Sequence, residues 1–287
     1  MVIEVVGEAE PSTSRSAERE GVGERRSRVR RRTRERFVVL AGQLLVIGLL
    51  VLAMQLVNAN FGGLTMPAPG SVLRQLGHLV RDGVLGRALA ETLTVFGIGY
   101  GVSLASGVLL GMVVGGFRTI GRIWEPFINA LNATPRVAFI PLIIVWFGLF
   151  VESKVIVAWL SAFVPILINT ADGIQNADQD LIEMAKALGT PRRTLFWRVL
   201  VPAALPSILT GVRVGAALAI LGTIVAELYT AQAGLGGLLA EAGNTFQMAE
   251  YFAVVIVLAA LGTAVSALLR MLERRFAAWR VDWREGS

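Results

Sequence analysis

The sequence predicts an all-α integral membrane protein with about six transmembrane helices. Three observations carry that prediction. Apolar residues make up 54% of the 287, and the mean hydropathy is +0.64. Charged residues are only 17%, well below the roughly 25% usual in soluble domains. Those charges gather in short stretches between apolar windows of about 20 residues, the length a helix needs to cross a bilayer. The pI near 10.6 comes from arginines crowded beside these windows, as the positive-inside rule expects, so no nucleic-acid partner is expected. Cysteine is absent, which excludes disulfides, thiolate metal sites and cysteine nucleophiles. His78 is the single histidine, read here as a solvated loop residue, so no metal site is expected.

Six spans follow in order: Phe37–Val57, Ala88–Gly116, Pro126–Phe150, Val155–Ala171, Ala203–Ala226 and Tyr251–Leu269. The first is too long for a signal-peptide core and reads as a retained span. With the N-terminus inside, the inner segments hold 21 Lys and Arg and the outer segments four. That asymmetry places both termini in the cytoplasm. Residues 1–36, with ten arginines and seven acids, read as a disordered basic cytoplasmic tail. Residues 37–270 form the membrane domain, with a polar insert at 176–201, and 271–287 a second cytoplasmic tail.

Span 2 carries small residues at every fourth position: Gly99, Ser103, Gly107, Gly111 and Gly115. On a helix they form one groove that lets a neighbouring backbone approach closely, within this chain or in another copy. No internal repeat is visible, unlike the paired halves of many secondary transporters.

The insert is the least ordinary part of the chain. Asp178 or Asp180 can cap a helix start. Leu181, Met184, Ala185 and Leu188 then fall at i, i+3, i+4 and i+7, making one apolar stripe. Gly189 stands where a left-handed C-cap is wanted. Thr190-Pro191 reads as a fresh cap with proline at the first helical position. A second helix runs to Pro202, where a break before span 5 is expected. The residues alone leave two readings open. Either the insert lies on lipid headgroups, anchored by Trp197 and arginines, or its short, smooth first helix is a knob for a partner's cleft.

Glu183-Met184-Ala185, Gly189 and Val199-Leu200-Val201-Pro202 resemble the "EAA" signature of ABC-importer permeases: Glu-Ala-Ala, three residues, Gly, nine residues, Ile-x-Leu-Pro. Met replaces the first Ala, and Val replaces both Ile and Leu. "WFGLFVESKVIVAWLSAFVPILINTADGI" and "IVAELYTAQAGLGGLL" are similar to the branch that carries sulfonates, taurine and nitrate. The resemblance covers roughly 66–275. It implies a MetI-like permease fold with a cytoplasmic coupling helix, in a multi-pass protein of the bacterial inner membrane. It also implies a second permease copy, two cytoplasmic ATPase subunits and an extracytoplasmic substrate-binding protein. Glu183, Ala185 and Gly189 match the segment that sits in an ATPase cleft, and Met184, Leu188 and Pro202 complete the expected coupling set. The chain has no G-x-x-x-x-G-K-[ST] loop, so ATP and Mg are expected on the partner ATPase and no cofactor on this chain.

Charges inside spans mark functional sites by default. Arg136, about ten residues into span 3, either lines an anion's path or snorkels to the inner interface. Arg213 and Glu227 share a face of span 5 but stand about 21 Å apart, too far to pair. Glu227 is expected near the outer end as a hydrogen-bonding acid or part of an outer gate, just before a flexible "AQAGLGG". The loops "MPAPGSVLRQLGHLVRDG" and 227–250 are where a binding protein would dock. The expected cargo is a small anion. A thiamine precursor or aromatic acid is the alternative within the same machinery, and an ion-coupled secondary transporter is the alternative outside it. No catalytic constellation is visible, so an enzyme is not expected.

Overall fold

The computed structural model describes residues 38–39, 41–60 and 66–277. The basic tail at 1–36 and residues 278–287 lie outside the described set. Residues up to Gly62 form one unit and those from Gly63 another. In the first unit, α1 (Ala41–Asn60) is long and apolar enough to cross a membrane.

In the second unit, α2 (Pro69–Arg81) opens on a proline whose fixed φ suits a first helical turn. It buries Val72 and Leu79, two turns apart on one helical face, and packs on α11 (Met248–Ala277). His78 therefore lies on a helix, not in the loop expected for it.

The centre is a stack of three long helices, α3 (Val84–Gly116), α6 (Val151–Gln175) and α9 (Val201–Thr230), with α6 in the middle. The small-residue ridge of α3 explains its closeness to α6. A Cβ on Gly99 would stand 2.7 Å from the Ala158 Cβ, one on Gly111 2.6 Å from the Thr170 Cβ, and one on Gly115 2.7 Å from the Ala171 carbonyl. Gly107 meets Ile166, and Ser103 donates to the Trp159 carbonyl at 2.8 Å. A second ridge, on α9, does the same on the other side of α6. Gly211 abuts Asn169, Gly215 abuts Ile166 and Gly222 abuts Ser161. In a bilayer, where lipid competes equally for apolar surface, such close backbone contact is what holds helices together.

These pairings also fix direction. Residue numbers rise together along α3 and α6, so the two run parallel, whereas α9 is antiparallel to both. Parallel neighbours require the intervening chain to return to the starting end. That return is made by α4 (Arg118–Ala133), a 3-10 turn (Arg136–Phe139) and α5 (Ile140–Phe147), bent by 89° at the break. The single span expected at Pro126–Phe150 is thus two helices. Thr134-Pro135 causes the break, because a residue before proline is driven to extended backbone and Thr134 has ψ 130°. Among the described residues, five helices meet the length and hydropathy needed to cross a membrane, six if the bent pair is one span.

Other boundaries shift outward. Helix α6 extends four residues beyond the expected span at each end, and α11 runs to Ala277, past the domain end expected at 270. The 227–250 segment, expected as a loop, contains a buried helix, α10 (Leu235–Asn244), packed on α9, α11 and α3.

Candidate functional site

The polar insert folds as a hairpin of α7 (Gln179–Ala187) and α8 (Arg192–Leu195). Asp178 caps α7, its carboxylate accepting from the Asp180 N–H at 3.0 Å. At the other end Gly189 has φ +71°, a conformation that glycine adopts without the Cβ penalty. Its N–H donates to the Lys186 carbonyl at 2.9 Å, and the Thr190 N–H donates to the Ala185 carbonyl at 3.1 Å. This pair of bonds is a Schellman closure. Thr190 does not cap α8; that place belongs to Pro191, which makes no side-chain cap.

Helix α7 buries none of its residues. Met184 is 61% exposed and Leu188 81%. Leu181 and Glu183 are exposed as well, and Ala185 lies among them on the same short helix. An apolar stripe presented on a doubly closed short helix is a surface awaiting a contact.

The hairpin joins the membrane stack without the break expected at Pro202. Helix α8 passes through a π-helical turn (Phe196–Leu200) into α9, one helical run from Arg192 to Thr230. The Val201 N–H donates to the Phe196 carbonyl, five residues back. Pro202 directly follows this π-helical turn, whose wider bonding pattern accommodates the missing N–H within the run. Phe196 and Leu200 pack on a core of Ile174, Ala204 and Ile208, and Phe196 fills the space that a Cβ on Gly116 would need. The α7 hairpin is thereby keyed to α3, α6 and α9 at once.

The charged candidates are not brought together. Arg136 lies at the bend between α4 and α5. Its Nη2 donates to Asn132 Oδ1 at 3.3 Å, and its Nε is buried with no partner among the described residues. Arg213 is paired with Glu273 of α11 at 3.2 Å, both side chains part-exposed. Glu227 is fully buried at the end of the stack opposite α7. Its Oε2 accepts from Thr92 Oγ1 and from the Gly236 N–H, each at 2.9 Å, while Oε1 has no partner among the described residues. The Leu235 N–H donates to Thr92 Oγ1 at 2.9 Å, and Lys154 Nζ donates to the Ala233 carbonyl at 3.3 Å. The "AQAGLGG" segment, expected to be flexible, is pinned by these bonds. Thr92 and Lys154 escaped the sequence reading, since a threonine in an apolar span and a lysine at a span's edge carry no periodic signal. The α9 ridge could have been found from Gly211 and Gly215, four apart.

The described helices thus form a membrane stack with an exposed, rigidly capped hairpin at one end. The inner membrane component of binding-protein-dependent transport systems matches residues 107–278. The chain is 32% identical over 215 residues to the putative aliphatic sulfonates transport permease protein SsuC of Bacillus subtilis, spanning 75% of this chain and 78% of that one. It is 30% identical over 241 residues to the taurine transport system permease protein TauC of Escherichia coli, spanning 82% and 86%. It is 34% identical over 192 residues to the formylaminopyrimidine transport permease protein ThiX of Halalkalibacterium halodurans, spanning 67% and 77%. The inward-facing MetNI methionine ABC transporter shares the fold, with TM-score 0.56 at 17% identity, covering 64% of this chain and 92% of that one. The chain belongs to the MetI-like family of ABC transporter permeases, multi-pass membrane proteins that are not themselves enzymes.

Proposed function

We propose that this chain is the permease subunit of an ATP-driven importer that takes up small anionic solutes of the aliphatic sulfonate, taurine or nitrate type. Similarity to the sulfonate and taurine permeases over about three quarters of the chain or more supports the cargo class. Under this reading two copies assemble in the bacterial inner membrane with both termini cytoplasmic. The exposed stripe of α7, with Glu183, Met184, Ala185, Leu188 and Gly189, seats in one of two cytoplasmic ATPase subunits. Those subunits hold ATP and Mg, and this chain holds no cofactor. An extracytoplasmic binding protein delivers the solute at the α10 end. The exposed apolar face of α7 is the observation that carries the ATPase contact, because Leu181, Met184 and Leu188 stand together on one exposed stripe of a capped helix.

The test is reconstitution of the chain with its ATPase and binding protein in proteoliposomes, scoring ATP-dependent uptake of labelled taurine, alkanesulfonates and nitrate. Uptake of at least one of these is expected. Similarity to the formylaminopyrimidine permease supports a second reading. A binding protein that takes a pyrimidine and ignores sulfonates and nitrate would establish that reading and end the first.

A further inference from the structure

The polar node opposite α7 plays no part in ATPase docking, yet it joins four elements. The N-terminus of a helix leaves its first N–H groups without intrahelical partners. In α10 those of Leu235 and Gly236 are satisfied from outside, by Thr92 of α3 and Glu227 of α9. Gly234, with φ +92°, supplies no cap of its own. The fit is tight: a Cβ on Gly234 would collide with the Glu227 carboxylate, and one on Gly236 would stand 2.6 Å from the Glu227 Cβ. From α6, buried Lys154 holds the Ala233 carbonyl of the same turn. Non-glycine residues in the left-handed region lie on both sides of α10, Ala231 at φ +48° and Phe246 at +55°. Such backbone persists only where its surroundings over-determine it. Burying a carboxylate with one oxygen unpartnered is costly, and packing alone would be served by an apolar residue.

We propose that Glu227 is a positioning residue: with Thr92 and Lys154 it clamps the N-terminus of α10 across the end of the α3–α6–α9 stack opposite α7. The clamp is a feature of this chain's own helices, and under the permease reading it fixes the position of α10 at the end of the stack away from the α7 hairpin.

The absence of cysteine from the chain gives a direct test in the assembled transporter in nanodiscs. Ala242→Cys, on a 1%-exposed site of α10, is labelled with a bulky hydrophilic maleimide. Alone it is expected to resist labelling. Adding Glu227→Ala is expected to raise the rate on the order of tenfold, as loss of the two hydrogen bonds that the side chain accepts shifts an opening equilibrium. Adding Glu227→Gln, which keeps an acceptor for Thr92 and Gly236, is expected to restore protection. Thr92→Val keeps the side chain's shape and removes both of its bonds, so it should also raise labelling; it serves if Glu227→Ala fails to fold. Ala204→Cys, buried at the α7 end, should stay protected throughout. Unchanged labelling of Ala242→Cys in both Glu227→Ala and Thr92→Val would overturn the clamp. A parallel rise at Ala204→Cys would overturn it too, by reducing the effect to general loosening. No solute is needed, so a failure of sulfonate uptake would bear on the cargo and leave this result standing.

Discussion

Gly189 holds the hairpin turn at φ +71° with open space around it, so a side chain there meets a backbone penalty and no clash. An L-residue in this region costs roughly 1–2 kcal/mol. Gly189→Val should therefore leave the protein inserted and assembled, while the ATPases hydrolyse ATP with uptake reduced several-fold or lost. Parallel assays of hydrolysis and uptake check this. Within α3, two glycines give opposite expectations. A Cβ added to Gly101 would have nothing within 4 Å, whereas one on Gly111 would press on Thr170 and the Leu167 carbonyl. Gly101→Ala should be neutral or mildly stabilising by up to about 1 kcal/mol. Gly111→Ala should destabilise by about 1–3 kcal/mol through overpacking, both read as thermal unfolding in detergent. Arg213 pairs with Glu273 in a part-exposed bridge, and such pairs contribute about 0–1 kcal/mol. Arg213→Ala should leave uptake within about threefold; loss of uptake with stability intact would instead make Arg213 a pathway residue.

At the level of elements, the sequence carried the long spans and the caps, because hydropathy and 3.6-residue spacing are local signals. Asp178, Gly189 and the α3 ridge stand in the structure with the bonds and contacts their spacing foretold. It did not carry α2 or α10. Helix α2 is amphipathic but short, between two spans, and α10 is glycine-rich, so its helicity comes from burial against α9 and α11 and not from propensity. The Pro202 break failed for a different reason: a π-helical turn, which leaves no composition signature, absorbs the proline within a continuous helix. Glu227 was legible as an acid near the end of a span. Its partners were not, since Thr92 lies 135 residues away in sequence. The π turn invites its own test. Phe196→Ala removes the ring that keys the hairpin to Gly116 and Ile174, so ATP hydrolysis should persist while uptake falls several-fold, again read side by side.

For the molecule, the continuous helical run from Arg192 to Thr230 has a thermodynamic consequence. Its 39 residues make a rod about 58 Å long at 1.5 Å per residue, with the α7–α8 hairpin, the proposed ATPase contact, at one tip and the Glu227 node at the other. Sites biased through one rigid body obey linkage: whatever free energy a ligand at one tip contributes to the other must be returned in equal measure. A substitution that frees α10, such as Glu227→Ala, should then alter the affinity of the ATPase for a hairpin it never touches. Conversely, ATPase binding should alter how readily the far end opens. Measuring opening with and without the ATPase, and ATPase affinity across variants of known opening, would give one coupling free energy from the two ends of this helix.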